Sequence, residues 1–156
     1  MTDWQDISTA PIPDFLYEIA ERLRTQDNRI TADPVFAVQR LVHDIVPEGY
    51  SDGWDWVDTE CGDHSTADER TAARLDALHD GGRSTGKWER FYYAERWEFV
   101  TGCFTEAAAE HHIRINGHNL GKTRVYAYSA YRNQEWINLR KWLMELKRPP
   151  QPGEPK

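Results

Sequence analysis

Only two cysteines occur in the 156 residues, Cys61 and Cys103, far apart and in different surroundings. That excludes a disulfide framework and makes a reducing cytoplasm the expected compartment. No apolar run approaches the roughly 18 residues of a spanning helix, so no membrane partner is expected. The opening "MTDWQDISTAP" lacks the basic-then-apolar order of a secretory leader, and none is expected. H-E-x-x-H and D-x-D-x-D-G are both missing, and no metal or cofactor is expected. "GGRSTGKW", Gly81 to Trp88, has the G-x-x-x-x-G-K spacing of a phosphate loop. Trp88, however, stands where a magnesium-binding hydroxyl is needed, and the flanking elements read in the wrong order. A helix-to-strand turn is the expected role.

Basic residues are scarce in one region and gathered in another. Residues 1–100 hold 21 acidic against 10 basic side chains, and residues 101–156 hold 5 against 9, within a net charge of −7. Glu48–Glu69 carries eight carboxylates and no Lys or Arg. A chain of this sign should not bind nucleic acid non-specifically, because phosphate attraction needs clustered cations. The basic final third could still do so locally.

What is present is ordinary globular material: 39% hydrophobic, 29% charged and seven Trp, enough for one core. A short helix is expected from Asp14 to Leu23, capped by Asp14, with Phe15, Ile19 and Leu23 on one face. Val35–Val42 reads as a strand and "WDWVD" as a short one. A helix over Thr66–His79, with Asp68 and Glu69 in its first turn, should stop at Gly81-Gly82. Residues 88–101 alternate as one long aromatic strand or a tight hairpin, with Phe91, Tyr93, Trp97 and Phe99 on one face. Phe104–Gly117 is expected as a helix capped by Thr105, with Asn116-Gly117 as a left-handed end. "TRVYAY" is a strand, and a C-terminal helix over 130–147, capped by Ser129, carries Trp136, Leu139, Leu143 and Leu146 as its apolar stripe. The reading is α+β: a variable N-terminal segment 1–30, a single domain over 31–148, and a Pro-rich solvated tail over 149–156. Helices should pack one face of a small, mostly antiparallel sheet.

Three groups of residues are candidate sites. The acidic segment offers Asp52, Trp54, Asp55, Trp56, Asp58, Glu60 and Asp63, with His64 beside them. Such a set could hold a hard cation, form a solvated loop pinned by its tryptophans, or imitate a phosphate backbone on a basic partner. A polar corner is expected where His118 and Asn119 follow one helix and Tyr131, Arg132 and Asn133 open the next. His there could act as acid or base and Arg as anion holder, but no nucleophile is evident. Arg140, Lys141, Lys147 and Arg148 form the third group, a basic helix face suited to nucleic acid. Cys61, among carboxylates, is expected to have a raised thiol pKa, and Cys103 to be a small buried hydrophobe.

The strings "NGHN" and "SAYRNQEW", within "FTEAAAEHHIRINGHNL…RVYAYSAYRNQEW…LRKWL" and preceded by "ADPVFAVQRLV", carry a resemblance. The chain resembles a family of small uncharacterised proteins of tailed bacteriophages and prophages over roughly residues 32–146. That family supplies no catalytic residues to carry over. The resemblance implies a phage origin and the cytoplasm of a bacterial host. Together with the acidic charge it suggests a non-enzymatic accessory protein that binds a host protein, in the manner of a counter-defence, anti-CRISPR-like inhibitor. The alternative is a nucleic-acid-binding or processing protein using the basic C-terminal helix.

Overall fold

A computed structural model describes residues 11–150. The elements run α1 (Asp14–Thr25), β1 (Pro34–Ile45), β2 (Gly53–Asp58), α2 (Glu69–Asp80), β3 (Trp88–Cys103), α3 (Glu106–Asn116), β4 (Thr123–Ser129) and α4 (Gln134–Glu145). Single 3-10 turns occupy Glu48–Tyr50 and Gly117–Asn119. The four strands form one open antiparallel sheet in the order β2-β3-β1-β4, so the expected α+β class is observed. The alternating stretch 88–101 is one 16-residue strand, not a hairpin. Where the sequence marks out one stretch over 31–148, the chain divides into two compact units. One is Leu41–Glu98; among the described residues the other joins 11–40 with 99–150.

In the discontinuous unit, β1 and β4 pair with Val35↔Tyr128, Ala37↔Tyr126 and Gln39↔Arg124 opposite one another. Because side chains alternate, Phe36 and Val38 point the other way, onto Ala109 of α3, and all three are fully buried. Val100, Ile113, Leu120, Val125 and Ala127 close this core. Burial of each large side chain there contributes about 1.5–3 kcal/mol. Helix α1 packs on α4 within the same unit. Its buried residues are Ala20 and Leu23, whereas Phe15 is 58% exposed. The Arg24 guanidinium donates to the carbonyls of Met144 and Leu146 at 2.9 and 2.8 Å, satisfying groups that the end of α4 leaves open.

Four boundary expectations are corrected. Helix α4 begins at Gln134, not 130: the Ala130 N–H donates to Asp33 O and continues the strand pairing. Arg132 then takes φ +66°, which no helix accommodates. Asn133, not Ser129, caps α4, accepting from the Trp136 N–H, while Ser129 ends β4 and accepts from the Thr31 hydroxyl. Gly117 is right-handed (φ −57°), so α3 runs on into the 3-10 turn, and the left-handed residue is Gly121 at φ +68°. Asp14 is the first residue of α1 and Pro13 precedes it, with no side-chain cap. Along α4, Leu143 and Arg140 are the buried positions and Leu139 is 47% exposed. The caps at Thr105 and Asp68 form, accepting from the N–H groups of Ala108 and Thr71.

In the contiguous unit, β2 lies along β3 with Gly53↔Tyr93, Asp55↔Phe91 and Val57↔Glu89 opposite. Trp54 and Trp56 fall on the alternate face. Both indoles donate to Asp76 Oδ1 of α2, at 3.1 and 2.9 Å. The Arg90 guanidinium donates to the same oxygen at 3.0 Å and lies over both indole rings. These hydrogen bonds to a charged acceptor fasten α2 to the sheet.

Candidate functional site

The acidic segment is largely structural. After β2 the chain turns at Cys61–His64, where the His64 N–H donates to Cys61 O and His64 takes φ +47°. It then returns along the outside of β2: Asp58 N–H donates to Ser65 O, Ala67 N–H donates to Trp56 O, and Thr66 pairs with Val57. Asp58 is buried. Its Oδ1 accepts from the N–H groups of Glu60 and Cys61, and its Oδ2 pairs with Lys87 at 2.5 Å. The hydrogen bond from Lys87 holds the Asp58 carboxyl below its ordinary range. Asp52 accepts from the Glu95 N–H at 2.7 Å. Trp56 is buried and Trp54 is 43% exposed. Of the expected array, Glu60 and Asp63 are the two whose carboxylates stand in solvent, although their backbone N–H groups bond to Asp58 and Cys61. Among the described residues no group of three or more His, Cys, Asp or Glu could hold a metal ion.

Asp55 is different, because it faces the side of the sheet away from α2. There the contiguous unit holds a cavity of about 510 Å³. Val57 and Thr66, paired with each other, form one wall with His64 at its rim, and Phe91 and Ile45 supply further apolar surface. The polar wall is built by three residues. The ring of His43 stacks on Tyr93 with centroids 3.6 Å apart and planes 6° from parallel, and His43 Nδ1 lies 2.9 Å from Asp55 Oδ2. Tyr93 can lean in this way because its cross-strand partner is Gly53. A Cβ at Gly53 would stand 2.8 Å from the Tyr93 hydroxyl. Burial, then the charges of Asp55, Glu95 and Asp52, push the Tyr93 hydroxyl pKa up, so it stays protonated.

The Asp55 carboxylate accepts from the Nδ1 side of His43 and so orients the imidazole, with Nε2 turned away from it. Asp55 Oδ1 accepts no hydrogen bond among the described residues. The cavity therefore offers a carboxylate oxygen on one wall and apolar and aromatic surface on the others. Sequence reasoning named Asp55 for its charge and missed His43 as its partner. The signal was present: continuing the alternation of Val35, Ala37 and Gln39 brings Leu41 and His43 onto that face, one residue past the expected strand end.

The other two candidates are reshaped. His118 precedes β4 and Arg132 follows it, so the seven residues of β4 separate them by about 20 Å. There is no common corner. Asn119 Nδ2 lies 2.9 Å from His118 Nε2 at one end, while at the other Arg132 lies over the ring of Tyr131 and Asn133 serves as the cap. Arg140 leaves the basic face altogether: it is 4% exposed, 3.6 Å from Asp33 and hydrogen-bonded to Asn28. Lys141, Lys147 and Arg148 remain exposed, and Arg148 reaches toward Asp14 and over the Tyr17 ring.

Both thiols are placed by their partners. The Asp63 N–H and then the Ser65 hydroxyl bond to Cys61 and lower its pKa, against the opposing charge of Asp58. This reverses the expectation drawn from carboxylates alone. Burial raises Cys103, as expected for a small apolar filler. Among the described residues no helix is long and apolar enough to cross a membrane. No family model, no curated protein and no solved structure matches the chain.

Proposed function

We propose that the chain is a non-enzymatic binding protein that engages a basic surface on a protein partner through its contiguous unit. One observation carries this reading. Leu41–Glu98 holds 14 acidic against 6 basic residues, whereas the rest of the chain holds 12 against 13. A net −8 in 58 residues steers cationic partners and repels nucleic acid. Exposed apolar side chains accompany that charge, with Tyr50 82%, Ile45 73% and Trp54 43% exposed, the combination of anchors and polar rim found in interfaces. The resemblance to phage and prophage proteins supports a bacterial host protein as the partner, in the host cytoplasm, and a counter-defence role for the interaction. The loss of Arg140 from the basic face of α4 weakens the nucleic-acid alternative, leaving Lys141, Lys147 and Arg148.

The test is a pull-down from host lysate with the full chain. Glu60→Lys, Asp63→Lys and Glu89→Lys together alter exposed carboxylates and spare the buried Asp58. A stoichiometric partner should be captured by the native chain and lost by the triple variant. A Glu135→Lys, Glu145→Lys control in the other unit should retain it. Equal capture by both variants overturns the acidic-surface reading.

A further inference from the structure

We infer that the cavity walled by His43, Asp55 and Tyr93 receives a guanidinium group, the arginine side chain of a protein partner. The inference rests on the proposed binding role of the acidic unit and assigns the chemistry of its pocket. Asp55 Oδ1 is an acceptor with no donor among the described residues. A ligand that reaches it must donate, and the unit's net −8 selects a cation over a neutral donor. A phosphate or carboxylate would meet Asp55 with like charge. A metal ion finds no set of three ligating side chains here.

Between the two cationic side chains, the walls favour arginine. Val57, Ile45 and Phe91 present apolar surface to a methylene stem. Phe91 and Tyr93 among the lining residues supply aromatic surface to a planar cation. Guanidinium carries five N–H donors and no acceptor, is weakly hydrated and stacks on rings. An ammonium is a compact, strongly hydrated charge that loses more on entering such a pocket. The cavity of about 510 Å³ also leaves room for the backbone that carries the side chain.

The probe is N-acetyl-arginine amide, titrated into the full-length chain, with the lysine and citrulline analogues beside it. Binding is read from the NMR resonances of the His43 and Tyr93 rings. Saturable shifts are expected with the arginine probe, at least fivefold weaker binding of the lysine analogue, and none with citrulline, which keeps the shape and lacks the charge. Asp55→Asn should weaken binding at least fivefold. Thr66→Arg, an exposed position on the cavity wall, should block it by supplying a guanidinium in cis. Thermal unfolding confirms that both variants are folded. Equal binding of citrulline, or arginine binding unchanged in both variants, overturns the inference. So does the lack of any saturable shift, even where partner capture stays sensitive to surface charge reversal. Arginine binding with capture indifferent to that reversal fails the acidic-surface reading instead and leaves the pocket standing.

Discussion

Arg140 Nη1 lies 3.6 Å from the carboxylate of Asp33, and Nη2 of the same guanidinium donates to Asn28 Oδ1 at 3.1 Å. A basic residue in the middle of an amphipathic helix thus ties α4 to the loop before β1. Its Nε is buried and has no hydrogen-bond partner among the described residues. Arg140→Met should lower unfolding free energy by roughly 2–3 kcal/mol, since it strands the facing polar groups. Lys141→Met, one residue along and exposed, should change it by under about 0.5 kcal/mol. Urea denaturation separates the two; equal effects would return Arg140 to the surface.

Capping makes a sharper comparison. Asn133→Ala and Thr105→Ala should each cost about 1 kcal/mol, because each removes the oxygen that accepts an open helix N–H. Ser129→Ala should cost a few tenths of a kcal/mol at most, as for an exposed neutral hydrogen bond. Thermal melts of the three variants decide whether α4 starts at Gln134 or earlier.

Acid should unfold the contiguous unit through identifiable carboxylates. The hydrogen bond from Lys87 lowers Asp58, the one from Trp56 lowers Asp76, and the one from Arg96 lowers Asp44. A carboxyl depressed in the folded state contributes stability that is present above its ordinary range and fades as pH falls through the lower folded value. Stability should therefore decline below about pH 4, the unfolded carboxyl value. Asp76→Asn should be less stable at pH 7 and show a shallower decline. Urea midpoints between pH 2.5 and 7 measure the slope, and an unchanged slope in Asp76→Asn removes that carboxyl from the account.

The two thiols should differ in alkylation. Cys61, lowered by the Asp63 N–H and the Ser65 hydroxyl, should react with iodoacetamide first and at lower pH. Cys103, half-buried and raised by that burial, should react more slowly and only at higher pH. Ser65→Ala should shift the pH profile of Cys61 upward. Mass spectrometry of timed samples resolves the order, and a faster Cys103 contradicts it.

Gly53→Ala should displace Tyr93 from beneath His43, because the new Cβ would stand 2.8 Å from the phenol oxygen. The His43 ring protons should lose the upfield shift that a ring 3.6 Å away imposes. Retention of that shift would mean that the strands part before the stack does.

Most of the architecture was legible because it rests on local rules. Alternation through Phe91, Tyr93 and Phe99 marked β3, and Thr105 marked the start of α3. The miss at Ser129 has a physical cause. Ser and Asn both cap helices, and the choice fell on the residue after Arg132 because that residue turns left-handed. The acidic segment misled for another reason: composition reports charge but not which side of a strand the charge occupies. Asp55 and Asp58 sit three apart in β2, so one lines the cavity while the other is buried against Lys87. Alternation places His43 on a face of β1, but its pairing with Asp55 joins residues of different strands and depends on how those strands are ordered in the sheet.

The division at Arg40 and Glu98 has a consequence for the order of synthesis. The acidic unit is one unbroken stretch, and all of it has been made by the time Glu98 is joined. Helix α1 emerges before any of it yet finds its mate only in α4, for Arg24 waits about 120 residues for the carbonyls of Met144 and Leu146. A ribosome making this chain from its N-terminus therefore completes the charged insert first, and only the last turns of α4 let the surrounding unit close.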